Sequence, residues 1–194
     1  MIVQKAKENV EIIGAEIIAR VKTEEKHLEM RNNLFFIWVF LCFASCDSNV
    51  VLDEYRSISE PWHKDEVIEF KVTPPDTLNP YSLFVNIRNT NDYKFNNLFL
   101  IVEMNYPHGK VVKDTLEYRM TNPEGKFLGT GFTDIKENKL WYKGYEKPFI
   151  FSESGDYILK IQHAMRENGS IGGLEKLDGI IDVGLRIERP QIIN

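Results

Sequence analysis

The sequence predicts an all-β protein: an antiparallel β-sandwich of about eight strands, jelly-roll-like, behind an export signal. Three observations carry this. Short runs in which polar and apolar residues alternate recur between residues 66 and 188, and a period of two marks a strand with one buried face. Gly, Pro, Asn and Asp punctuate the runs as turn formers. Helical periods between the runs are scarce, which argues against a parallel sheet built from βαβ units.

Taken in order, residues 1–29 hold five Lys/Arg and six Glu, with Ala6, Val10, Ile13, Ile17 and Val21 at helical spacing, a pattern that predicts an amphipathic helix. Residues 30–49, "MRNNLFFIWVFLCFASCDSN", follow. Arg31 precedes ten unbroken apolar residues, 34–43, half of the roughly 20 needed to span a bilayer. A basic start, a short apolar run and small residues at its end make a secretory signal. Phe43-Ala44-Ser45-Cys46 resembles the lipobox of bacterial lipoproteins, with Phe where Leu is usual. That resemblance implies a diacylglycerol on the Cys46 sulfur and cleavage before it. Residues 30–45 alone have the length of a signal peptide, so Met30 is the expected start and residues 1–29 an extension from a misassigned one. Residues 46–60 are polar and are expected to tether a domain spanning 61–190.

The domain's strands are expected at 66–72, 83–87, 97–106, 111–120, 140–143, 148–151, 156–163 and 180–188. "NLFLIVEMNY" and "VVKDTLEYRM" flank Pro107-His108-Gly109-Lys110 and form a hairpin. Asn122-Pro123-Glu124-Gly125 marks another turn, and "TPPDTLNP" (73–80) a proline-stiffened loop.

Cys42 and Cys46 are the two cysteines, so the processed chain would hold neither a disulfide nor a free thiol. From residue 46 onward there are 18 Lys/Arg and 23 Asp/Glu. That acidic balance, without a basic run, argues against nucleic acid and against electrostatic docking on anionic lipid. The histidines, His27, His63, His108 and His163, form no HExxH, and no metal site is expected; His63 beside Asp65 and Glu66 reads as a solvated strand start. Gly129-Thr130-Gly131-Phe132-Thr133-Asp134 is neither a dinucleotide fingerprint nor a P-loop, but a turn. GxSxG is absent, and no catalytic residue, cofactor or small-molecule substrate is expected. Among the abundant aromatics, Trp141, Tyr142 and Tyr145 are the expected exposed group, a surface for a partner or a glycan.

The stretch "YSLFVNIRNTNDYKFNNLFLIVEMNYPHGKVVKDTLEYRMTNPEGKFLGTGFTDIKENKLWYK" (81–143) resembles the gliding-motility lipoprotein GldH family of Bacteroidota. "GDYILKIQHAMRENG" and "LDGIIDVGLRIE" extend the likeness, which spans residues 46–188. The resemblance implies a non-enzymatic lipoprotein of the cell envelope, on the periplasmic face or outer membrane. It implies a membrane anchor through Cys46, a requirement in surface gliding, and envelope lipoproteins of the gliding and type IX secretion machinery as partners. Asp76-Thr77-Leu78 and Asp114-Thr115-Leu116 match the Asp-Thr/Ser-apolar pattern of O-glycosylation in exported Bacteroidota proteins, with Thr77 the accessible candidate. A glycan-binding envelope lipoprotein is the alternative function. A coplanar exposed Trp/Tyr pair at a groove would favour it, and a broad ungrooved patch would favour the assembly role.

Overall fold

A computed structural model describes residues 49–167, 169 and 172–190; the 1–29 extension, the signal and Cys46 lie outside the described residues. The described chain is all β, without a helix: β1 (Val50–Ser57), β2 (Trp62–His63), β3 (Ile68–Val72), β4 (Pro80–Asn89), β5 (Asn97–Asn105), β6 (Val111–Arg119), β7 (Lys136–Lys143), β8 (Phe149–Ile150), β9 (Tyr157–His163), β10 (Lys176–Leu177) and β11 (Ile180–Glu188).

One sheet runs β1-β11-β4-β7, with β8 on the start of β4; the other runs β3-β9-β5-β6; β2 and β10 form a small ribbon. Every pairing is antiparallel. Along the eight long strands the chain crosses between the sheets at every step except the β5–β6 hairpin. That is jelly-roll connectivity.

The alternation in the sequence becomes the core. Tyr81, Leu83, Val85 and Ile87 of β4 and Val183, Leu185 and Ile187 of β11 face Phe70 of β3, Leu98, Leu100, Val102 and Met104 of β5, and Leu159 and Ile161 of β9, all buried. Each such side chain contributes roughly 1.5–3 kcal/mol through burial. The β3–β4 end is closed by the rings of Tyr81, Phe151 and Tyr157, with centroids 5.6 and 4.9 Å apart. At the opposite end Trp62 packs edge-on against His163 at 5.3 Å. There Gly179, at φ 78°, lets the backbone of Tyr93 come close; a Cβ would sit 2.1 Å from its nitrogen.

The largest departure from expectation is β1. Residues 50–57 belong to no tether: all eight are in a strand on β11. β1 is a sheet edge, and such strands carry charge that discourages further pairing. Its core-side positions run Leu52, Glu54 and Arg56, opposite Ile187, Leu185 and Val183. This replaces the apolar alternation with a polar-looking stretch. The run at 148–151 is, in contrast, only the two-residue β8.

Candidate functional site: the outer face of the β1-β11-β4-β7 sheet

β4 is buried on both sides. Phe84 and Asn86 point away from the core, yet are 3% and 2% exposed. What covers them follows from register. Three rows cross the four strands: Ser57–Asp182–Arg88–Glu137, Tyr55–Gly184–Asn86–Lys139 and Asp53–Arg186–Phe84–Trp141. Cross-strand neighbours stand about 5 Å apart, so long side chains in these rows must interact.

In the first two rows the Arg88 guanidinium lies 4.0 Å over the Tyr55 ring. Its Nε donates to Glu137 Oε2 at 3.0 Å, and Tyr55 Oη donates to Glu137 Oε1 at 2.9 Å. Asn86 Nδ2 donates to Tyr55 Oη at 2.9 Å, while Asn86 Oδ1 is buried without a partner. Burial, then the Glu137 bond and charge, push the Tyr55 hydroxyl up to about 12. Gly184 is required beneath that ring, since a Cβ there would stand 2.9 Å from Tyr55 Cδ1 and Cε1.

In the third row Arg186 joins Asp53 and Glu188, and Lys139 Nζ reaches Glu188 at 2.7 Å. Burial raises the Glu188 carboxyl, but the Lys139 and Arg186 bonds outweigh it and hold it below the usual range. Lys139 Nζ also lies 4.1 Å over Phe84, which packs on Trp141 at 4.2 Å. Charges on this face are matched in pairs, and its aromatics are held by cation–π contacts. Beside β7 an open groove of about 530 Å³ is bounded by Asn86, Arg119, Leu128, Thr130 and Arg186. Among the described residues no three His, Cys, Asp or Glu side chains converge as metal ligands. The arrangement suits recognition by a pre-ordered surface.

Residues 50–187 match the family described as GldH lipoprotein. The chain belongs to that family. The match opens at Val50, the first residue of β1, which agrees with β1 as part of the domain. A "Gliding motility lipoprotein GldH homolog" of Christiangramia forsetii is 54% identical over 154 residues, 79% of this chain and 93% of that one. The "Gliding motility lipoprotein GldH" of Flavobacterium johnsoniae is 46% identical over 162 residues, 84% of this chain and 99% of that one. Among solved structures, the infectious bursal disease virus VP2 subviral particle covers 73% of this chain and 33% of that one at TM-score 0.30 and 14% identity, a likeness too slight to carry an argument.

On this GldH-family domain the three expected surface aromatics separate. Trp141 is exposed in the third row, as expected, and Tyr145 projects further beside it, 75% exposed. Tyr142 is not at the surface: neighbouring strand residues face opposite ways, so a Trp141 turned outward turns Tyr142 inward. A register shift opposite Leu83 and Phe84 leaves it in a bulge. It is buried, its Oη bonded to Asp114 Oδ2 at 3.0 Å; burial and then the Asp114 charge raise its hydroxyl far above the ordinary value. The Trp141 and Tyr145 rings meet at 55°, so they form no coplanar platform for a sugar.

Thr77 is half-buried. Asp76 beside it is consumed by the loop, accepting from the Leu78 and Asn79 amides at 2.9 and 2.7 Å, Asn79 Nδ2 at 2.9 Å and Tyr81 Oη at 2.8 Å. Those bonds, led by Asn79, hold its carboxyl well below the usual range. Thr115 lies in β6 and faces solvent. His63 stands 3.6 Å from Asp65 at the surface, and 129–134 forms a turn closed by the Thr130–Glu137 bridge. The rows themselves escape a reading of single strands. Their one sequence signal is that Ser82, Phe84, Asn86 and Arg88 share the polar face of a strand flanked by charged β11 and β7.

Proposed function

We propose that this chain is a non-catalytic lipoprotein of the gliding apparatus, anchored in the cell envelope by an acylated Cys46. Its partners are envelope lipoproteins of the gliding and type IX secretion machinery, and it binds them through the outer face of the β1-β11-β4-β7 sheet. Membership of the GldH lipoprotein family supports the first part. The observation that carries the second is the burial of Phe84 and Asn86 on the side of β4 away from the core, under a pre-ordered layer of Tyr, Arg, Lys and Trp. Trp, Tyr and Arg are the side chains enriched where protein interfaces concentrate their energy. Fixed side chains lose little entropy on binding.

The test places a photo-crosslinking amino acid at Trp141, in the third row, and at Thr115, on the outer face of the other sheet. Irradiated cells should yield discrete envelope-protein adducts from position 141 that weaken in an Arg186→Ala background. Adducts from position 115 alone, or normal gliding in an Asp53→Lys/Lys139→Glu variant of normal abundance, would refute the assignment of this face.

A further inference from the structure

The strand that replaces the expected tether changes where the domain stands. β1 begins at Val50, four residues after Cys46. Four residues reach at most about 14 Å when fully extended. Headgroups and interface add about 5–8 Å to each side of the hydrocarbon. A chain acylated at Cys46 therefore holds the end of the sandwich carrying Val50 against the headgroup layer.

That end can be named from the register. Val50 pairs with Glu188, Glu188 with Ser82, and Leu83 with Lys143. The 73–79 loop, the 144–148 loop and β8, whose Ile150 pairs with Pro80, gather at the same edge. Three apolar or amphipathic side chains project there: Leu78 is 81% exposed, Tyr145 75% and Ile150 41%. They stand on fixed supports. The four bonds to Asp76 set the loop that offers Leu78. Gly144, at φ 94°, packs so closely that a Cβ would lie 2.5 Å from Tyr81 O, which fixes the turn into Tyr145. Ordered loops holding Leu, Tyr and Ile in solvent, on the end that a short acylated linker presses to lipid, have the composition of an interfacial contact.

We infer that the Leu78, Tyr145 and Ile150 end of the sandwich docks on the bilayer surface, seating the domain in one orientation with β1, β4, β7 and β11 rising from the membrane. The occupant is the lipid interface. This rests on the acylation of Cys46 proposed above. Phe132, fully exposed beyond the start of β7, marks the far end. At about 3.3 Å per residue the eight residues of β7 separate the two ends by about 26 Å.

The experiment uses the full acylated protein in vesicles of phosphatidylethanolamine and phosphatidylglycerol. No cysteine occurs among residues 49–190, so Leu78→Cys, Tyr145→Cys and Phe132→Cys each offer one thiol for an environment-sensitive fluorophore. Labels at 78 and 145 should shift to the blue and lose emission to brominated lipid, while the label at 132 should do neither. If the protein floats with the vesicles but all three labels behave as in water, docking is overturned and the anchor stands. Failure to float, with no fatty-acid label on Cys46, overturns both. Disulfide-linked dimers through Leu78→Cys without lipid quenching would give the surface to a second copy and also overturn it.

Discussion

Replacing Gly184 by Ala tests whether the outer face is a packed layer or a loose coat of polar side chains. The new methyl would meet Tyr55 Cδ1 and Cε1 at 2.9 Å and Glu54 O at 3.0 Å. Ordinary carbon contacts lie at about 3.5–4.0 Å, so the ring must retreat by roughly 0.6–1 Å. Arg88 blocks the retreat, with its guanidinium 4.0 Å over the other side of the ring. A displaced ring loses its bond to Glu137 and the bond from Asn86. Overpacking costs about 1–3 kcal/mol. A buried amide left unpaired costs about 1–3 kcal/mol more, and Asn86 Oδ1 already lacks a partner. The expected loss is therefore about 2–4 kcal/mol, since the two costs overlap in part. In urea, with a slope of about 2 kcal/mol per molar, the midpoint should fall by about 1–2 M at unchanged slope. Adding Tyr55→Ala should recover part of the loss, because it removes the clash. A midpoint within about 0.2 M of the parent would show that Tyr55 does not rest on Gly184 and that the layer is not packed.

Other outcomes are open to direct measurement. Cys46→Ser should abolish fatty-acid labelling and gliding; unchanged labelling would reject the anchor. Deleting residues 50–57 should unfold the domain, as judged by loss of its cooperative thermal transition, whereas a tether would be dispensable. Stability should fall on acidification below about pH 6.5, the ordinary histidine value, through His163. Burial lowers its native pKa, so the unfolded chain takes up a proton that the native one refuses, at up to about 1.4 kcal/mol per pH unit. His163→Gln should flatten that slope, and an unchanged slope in urea titrations at pH 5 and 7 would exclude the histidine.

The eight-strand sandwich was legible because most long strands obey a period of two: β5 alternates half-buried and buried residues from end to end, and "EVIEFKV" leads into β3. β1 was hidden by the same rule. At an edge, the core-side positions need not be apolar, and Glu54 and Arg56 occupy two of them. Tyr142 turns inward, against the aromatic composition around it, for a related reason. Composition says that "WYKGY" is aromatic; alternation says that its members cannot all face one way. The cross-strand rows are a product of register among β1, β11, β4 and β7, which pairs residues as distant in the chain as Val50 and Glu188. No local pattern specifies which Lys will lie over which Phe.

The β1 finding ties the two proposals together. A fifteen-residue tether would let the domain roam roughly 50 Å from its lipid and present any face to a partner. With the strand starting at Val50, an acyl group on Cys46, four residues earlier, would press the 73–79 and 144–148 loops to the interface. The β1-β11-β4-β7 face then stands perpendicular to the membrane plane and looks sideways along it, rather than toward or away from it. Proteins confined to one membrane surface meet laterally, so a pre-ordered lateral face gains most from confinement, through an effective concentration of about a millimolar. Lengthening the linker after Cys46 with a flexible Gly/Ser insertion should therefore weaken partner crosslinks from position 141 while leaving fatty-acid labelling and fold intact. Crosslinks that persist unchanged through a twenty-residue insertion would mean that orientation contributes nothing, and the face would have to recognise its partner by affinity alone.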